Sequence, residues 1–416
     1  MTTPEKTTLQ TFQKTNQNTN HPEHGSQPDP GQGASGQAGS NAVDFNLHNF
    51  VRVRLLDATP RDVAVITRQL GPIQDEPTGP ADITIRFVDR LDVGSRLRSI
   101  GLDDAAFSQD AFLVLKGKHH TRVRVQIPLD QVGRPEGCTI LCQRPVPAVP
   151  LLIALVNLVA LGKGVLPLHA SAFVYRGQGI MATGWAKGGK TETLLAFAEQ
   201  GAQYIGDEWI YLSPGGERMY GIPEPIRLWN WHLEEMPRYQ ALLSGQERLQ
   251  LRGLKLAVDA LERLVGDGQG ARGGVKGLGV RVASVLKRQL NVQIPPRKLF
   301  GVDGLPRSHR LDKVLFVVSH DSDQVALEAA SPEEIAQRMV FSLQEERTEL
   351  LSYYRKFRFA FPQRTNPLLE EAETIQRDLL LQALAGKECY QLVHPYPMAI
   401  PSLYQAVAPI LEEAGP

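Results

Sequence analysis

The chain has 416 residues, room for two or three folded units at roughly 150 residues per domain. Lys+Arg and Asp+Glu number 45 each, so the net charge is zero and the global electrostatic footprint of a dedicated nucleic-acid-binding or membrane-surface protein is missing. With 42% hydrophobic residues, the composition excludes wholesale disorder and a multi-span membrane protein.

From Gln13 to Ser40 the chain holds no aromatic residue and no aliphatic side chain larger than Ala, so nothing there offsets the entropy of ordering. Residues 1–44 are expected to be a disordered tail. The start of the chain shows no apolar stretch of the kind a secretory signal carries, and three cysteines do not make a disulfide framework, so the expected compartment is the cytoplasm. Residues 45–147 alternate with period two. Val51, Val53 and Leu55 share a face, as do Ile83, Ile85 and Phe87, and Val123, Val125 and Ile127, which predicts a β-rich N-terminal unit. Cys138 and Cys142 form a single C-x3-C with no second pair and read as small buried hydrophobes, with no metal assigned. The uncharged run from Pro145 to Gly162 contains three prolines and Asn157, and its helical part is too short for the ~20 residues of a membrane span. It reads as a buried core helix.

Residues 148–416 are expected to form one α/β domain. Strands at His169–Tyr175 and Ile180–Thr183 flank a turn at 176–179, a glycine-rich loop follows, and a helix runs from Lys190 to about Gln200. A return strand at Gln203–Ile205 ends in Asp207-Glu208, and Trp209–Leu212 with the turn at Pro214 opens a hairpin. Residues 231–300 read as a helical, less regular insertion with a glycine-rich, basic end. A strand at Val314–Val318 precedes Ser331-Pro332-Glu333-Glu334, a cap signal that predicts one helix to about Phe357. A further helix after Asn366-Pro367, a strand at Cys389–Val393 and a last helix from Ser402 to Glu412 complete the expectation.

Gly184-Trp185-Ala186-Lys187-Gly188-Gly189-Lys190-Thr191 fits G-x-x-x-x-G-K-[ST] between a strand and a helix. In such a loop backbone N–H groups and a helix N-terminus face phosphate, the Lys ammonium reaches the β- and γ-oxygens, and the hydroxyl ligates Mg²⁺. The expected nucleotide-binding set is therefore Gly184 to Thr191 with Glu192 behind it, and the expected cofactors are ATP and Mg²⁺. Asp207-Glu208 come after one helix and one short strand, placing the acids beside the strand that feeds the loop. One carboxylate of such a pair can hold Mg²⁺ while the other orients or deprotonates an attacking hydroxyl.

Residues 166–212, LPLHASAFVYRGQGIMATGWAKGGKTETLLAFAEQGAQYIGDEWIYL, resemble the nucleotide-binding core of HPr kinase/phosphorylase and its HPr-kinase-like relatives, an α/β (α+β) P-loop architecture shared with phosphoenolpyruvate carboxykinase. The resemblance implies that Lys190 and Thr191 bind phosphate and magnesium, with the metal on Thr191 and Asp207. It implies that Asp207 is the acid nearest the transferred phosphoryl, with Glu208, where relatives carry Asp, and His169 beside it. Arg227, in GIPEPIRLW, falls where relatives place a turn next to the site and is a candidate phosphate clamp. The expected activity is ATP-dependent transfer of a phosphoryl group to a hydroxyl of a peptide, protein or small-molecule acceptor, with no nucleic-acid or membrane partner and with homo-oligomerisation left open. The alternative is a nucleotide-binding sensor or scaffold without turnover. Residues 268–302 carry seven Lys and Arg and no acid, and Arg281, Lys287 and Arg288 are expected to contact phosphate or an acidic acceptor, unless the segment is a solvated loop.

Overall fold

The computed structural model describes residues 42–94, 96–117, 120–266, 282–301 and 305–412. The period-two segments become a mixed sheet built from β1 Val43–Leu47, β2 Val51–Leu56, β3 Gln74–Asp75, β4 Ile83–Val88, β5 Arg98–Ile100, β6 Ala105–Phe107, β7 Phe112–Lys116, β8 Arg122–Gln126 and β9 Cys138–Gln143. Its order is β3-β1-β2-β4-β9-β8-β7-β6-β5. Only β2–β4 and β4–β9 pair in parallel, and the first of these needs a crossover, which α1 Pro60–Leu70 supplies. That helix escaped the sequence reading, although its start is a capping box. Thr59 Oγ1 accepts from the Asp62 N–H at 3.3 Å, and Asp62 Oδ2 accepts from the Thr59 N–H at 2.9 Å. The tail boundary also moves. β1 begins at Val43, and buried Asp44 accepts from Arg52 and Arg54, so only residues 1–41 of the expected tail lie outside the described residues.

Helix α2 Leu152–Gly162 follows, buried on most of its surface as its composition requires. Among the described residues no helix is long and apolar enough to cross a membrane. The second sheet comprises β10 Leu166–Tyr175, β11 Gln178–Thr183, β12 Gln203–Gly206, β13 Trp209–Leu212, β14 Arg218–Gly221, β17 Ser308–Arg310, β18 Lys313–His320, β19 Ala326–Ala329 and β20 Glu388–Pro395, while β15 Ile226–Trp229 and β16 Asn291–Ile294 pair only with each other. Its order is β17-β14-β13-β10-β11-β18-β20-β19, with parallel pairs at β11–β18 and β18–β20. Helix α3 Lys190–Ala198 and the helix Ile400–Glu412 cover one face through Phe197, Leu403 and Val407. The helices Pro332–Glu346 and Pro367–Leu384 cover the other through Met339, Val340 and Leu380. The fold is thus α/β, with a three-layer second half.

Strand β12 does not adjoin β11 as expected. Both β12 and β13 run antiparallel along β10, at Ala172↔Gly206 and His169↔Trp209 respectively, so β10 separates the acids' strand from the strand feeding the loop. Asp207-Glu208 is the two-residue step that follows the end of β12 at Gly206 and precedes β13, with the Trp209 N–H bonding the Asp207 carbonyl at 3.0 Å, and the register shift against β10 lies before it, opposite Ala172 and Phe173. Glu208 takes a left-handed backbone there, and both carboxylates meet side chains of β10, Asp207 on Ser171 and Glu208 on His169.

The insertion is better anchored than its composition implies. Helices Asn230–Glu235, Pro237–Gln240 and Gly245–Gly266 lead out, and β16 returns to pair with β15 before a short helix Pro296–Phe300. Lys287 pairs with Glu262 from the long helix, so an acid from outside the basic stretch neutralises part of it, and Arg288 is exposed. Arg281 lies outside the described residues. The helix expected to reach Phe357 breaks at Arg347, whose N–H bonds the Gln344 carbonyl, and a second helix runs Thr348–Ala360.

The first sheet shares one apolar core with α2 and the helices at 348–360 and 367–384. Phe112 on β7 meets fully buried Phe357 edge-on, 5.5 Å between centroids. Phe357→Ala is expected to cost about 3–5 kcal/mol of stability through lost burial and a residual cavity. Urea unfolding followed by fluorescence should show one transition at lower denaturant, and a native midpoint would refute the shared core.

Candidate functional site

The glycine-rich loop is shaped by two glycines that no other residue can replace. Gly184 has φ +148°, and a Cβ there would lie 2.4 Å from the Val317 carbonyl oxygen. Gly189 has φ +103°, and its Cβ would lie 2.4 Å from His394 Nε2. His394, buried on β20, stands 2.8 Å from the Gly188 carbonyl through Nε2 and braces the loop from below. Lys190 opens α3, is 6% exposed, and donates to the Trp185 carbonyl at 2.8 Å. Burial lowers its pKa, opposed by the charges of Asp207 and Glu208. Trp185 is exposed at the loop, Lys187 takes a left-handed conformation, and Ala186 lies between them.

Across from the loop sits Asp207, 4% exposed. Its Oδ1 accepts from Ser171 Oγ at 2.6 Å, and its two oxygens lie 3.2 and 3.1 Å from Thr191 Oγ1. Burial, reinforced by the charge of Glu208, pushes the Asp207 carboxyl up to about 6, while the bonds from Ser171 and Thr191 pull the other way. Glu208 has φ +73° in the step between β12 and β13 and a half-exposed side chain whose Oε2 lies 3.2 Å from His169 Nε2. The His169 bond holds Glu208 below the usual carboxylate range against the effect of burial, with Arg227 and Lys190 adding to it. The other ring nitrogen, His169 Nδ1, is 2.5 Å from Glu346 Oε1, and the ring stacks on Trp209. Burial alone would lower the His169 pKa, but bonds to Glu208 and Glu346 outweigh it and raise the group to about 9.

Lys190, Thr191, Asp207, Glu208 and His169, widely spaced in sequence, therefore meet in one cluster. Arg227 is exposed on β15, near enough for its charge to act on Glu208. Glu192 is engaged elsewhere. Buried His232 accepts the Trp229 N–H through Nδ1 at 3.3 Å, so Nε2 carries the proton that it donates to Glu192 at 3.0 Å. Cys138 and Cys142 are buried on β9, and burial pushes the Cys138 thiol up to about 12. Among the described residues no group of three or more His, Cys, Asp and Glu is arranged to hold a metal by itself.

Four participants escaped the sequence reading. Ser171 carried a signal, since His169-x-Ser171 on one strand share a face. His232, Glu346 and His394 come from remote elements and left no local trace.

No family model matches the chain, and no curated protein matches it. Among solved structures it is similar to the Hpr(Ser) kinase/phosphatase from Coxiella burnetii, at 14% identity over 46% of this chain and 97% of that one, with a TM-score of 0.20. A TM-score that low carries no argument, and the chemistry of the site has to supply it.

A histidine whose folded pKa is raised from 6.5 to about 9 contributes stability that is complete below pH 6.5 and lost as pH rises through 9. Denaturant unfolding of wild type and His169→Gln should therefore show a stability difference that shrinks across that window, and an imidazole NMR titration should find the His169 midpoint near its upper end. A pH-independent difference would show that the ring is not charged between the two glutamates.

Proposed function

We propose that this protein is a kinase that transfers the γ-phosphoryl group of Mg·ATP to the hydroxyl of an acceptor. One observation carries the reading: the Thr191 hydroxyl and the Asp207 carboxylate lie within hydrogen-bond reach of each other beside Lys190, at the junction of a glycine-rich loop with a helix N-terminus. The donor set fits magnesium, which prefers oxygen ligands and keeps several waters and phosphate oxygens, so one hydroxyl and one carboxylate suffice from the protein. Thr191 and Asp207 would hold it. When bound, it supplies charge neutralisation at the phosphates.

The rest falls to the chain's own groups. Loop amides and the first turn of α3 cradle phosphate, and Lys190 leaves the Trp185 carbonyl to meet the β- and γ-oxygens. The acceptor oxygen bonds to the γ-phosphorus while the bond from that phosphorus to the bridging oxygen breaks, ADP leaving with the electron pair. Asp207 is committed to the metal, so half-exposed Glu208 takes the hydroxyl proton. Such a transfer asks for positioning and charge stabilisation rather than strong basicity. His169, charged between Glu208 and Glu346, keeps this acid-rich corner from repelling the incoming phosphates.

Lys190→Ala should remove transfer by several orders of magnitude in a radiolabel assay. Asp207→Asn should cost about 10² to 10⁴ in rate with the fold intact, and Glu208→Gln less. Near-native transfer by the Lys190 variant would overturn the kinase reading, and tight ATP binding without consumption across peptide and small-molecule hydroxyls would make the protein a sensor or scaffold.

A further inference from the structure

Strands β11, β18 and β20 run parallel, so their carboxyl ends lie along one edge of the second sheet, the edge where ligands of open α/β sheets bind. The glycine-rich loop leaves the first of these ends. The last leads into Tyr396, in the short segment before the helix Ile400–Glu412, which shares an apolar core with α3. His394 meets the Gly188 carbonyl of the loop, and Tyr396 follows it by two residues, at most about 7 Å of chain. Tyr396 is 61% exposed, its ring 6.3 Å from that of half-buried Trp231 and at 85° to it. Trp231 is tied to α3 by a different route, since its neighbour His232 bonds Glu192 in the first turn of that helix. A single exposed ring needs no explanation. Two rings at a right angle, one tied to the loop and the other to the helix it opens, make a corner beside the phosphate-binding segment.

Resting on the kinase reading, we propose that Tyr396 and Trp231 hold the base of the nucleotide, stacked in the angle between their rings. With the phosphates on the loop amides, the ribose and base run along this edge, and the corner offers the base a flat apolar face and the edge of a second ring. Such stacking tolerates any base, because each has a π-face, and it adds affinity without touching the phosphates. Trp185, 53% exposed on the loop itself, is the rival platform. Its carbonyl holds the Lys190 ammonium that phosphate draws away, so Trp185 sits on the part of the site that rearranges, whereas Tyr396 and Trp231 stand on segments braced through His394 and His232.

The test uses the full chain and calorimetric titration with Mg·ATP and with Mg·tripolyphosphate, which carries the phosphates and no base. ATP should bind about tenfold or more tightly than tripolyphosphate. Tyr396→Ala should remove most of that excess and Tyr396→Phe should keep it, while tripolyphosphate affinity stays the same in all three proteins. Trp231→Ala should act like Tyr396→Ala, and the Tyr396 pair decides the matter if the half-buried Trp231 is needed for folding, because the Tyr396 ring is mostly in water. Equal affinity for the two ligands, or an excess that survives Tyr396→Ala, would overturn the proposal. So would an excess lost in Trp185→Ala alone, which puts the base over the loop instead. If neither ligand binds, the nucleotide reading and the proposal fall together. A Tyr396-dependent excess with no phosphoryl transfer to any acceptor would overturn the kinase reading and leave the base corner standing, and transfer with an excess indifferent to Tyr396 would do the reverse.

Discussion

Asp207 is a carboxylate taken out of water at a step between two strands, and the geometry around it follows from the need to satisfy it. Ser171 on β10 and Thr191 on α3 both donate to it, tying the step after β12 to the neighbouring strand and to the loop-bearing helix. In a regular strand successive residues alternate faces, and one carboxylate of the pair would point away. Glu208 pays for the arrangement with a left-handed backbone, uncommon for a side chain of that size. Strain of this kind is kept where the surrounding structure over-determines it.

Charges of both signs crowd this step. Two cations, Lys190 and His169, stand among three acids, Asp207, Glu208 and Glu346, and the acids oppose the burial of the cations while His169 opposes that of Glu208, whereas Asp207 has the charge of Glu208 added to its own burial. The result is a pair of acids pushed apart: Asp207 is raised and Glu208 lowered, although they are adjacent in sequence. Neighbouring carboxylates with divergent proton affinity can play different roles. Arg347 lies outside this cluster, since burial lowers its pKa against the charge of Glu373 and, among the described residues, its Nε and Nη1 have no hydrogen-bond partner.

Local chemistry was legible in the sequence, and remote pairing was not. The strands of the first sheet announced themselves because Val53, Leu55, Ile83 and Ile85 alternate, and the loop because its glycines, lysine and hydroxyl are contiguous. The long helix ending at Arg347 misled, since neither glycine nor proline marks its break. The strand Asn291–Ile294 was invisible in a basic, helix-like stretch, being too short to show a period and depending on β15 for its pairing. The partners that tune the site, Glu346 and His394, lie at least 150 residues downstream of the residues they touch and reach them only through packing. Such contacts carry no spacing that a single sequence displays.

The central claim, that Asp207 gives up a proton to hold magnesium beside Thr191, is open to one direct measurement. Titration calorimetry of Mg·ATP in buffers of different ionisation enthalpy, at a pH of about 6, counts the protons released on binding. With the Asp207 carboxyl raised to about 6, the wild type should release a sizeable fraction of a proton more than Asp207→Asn, and removing Mg²⁺ should abolish that excess. Equal release by the two proteins, or nucleotide affinity indifferent to Mg²⁺, would contradict the account.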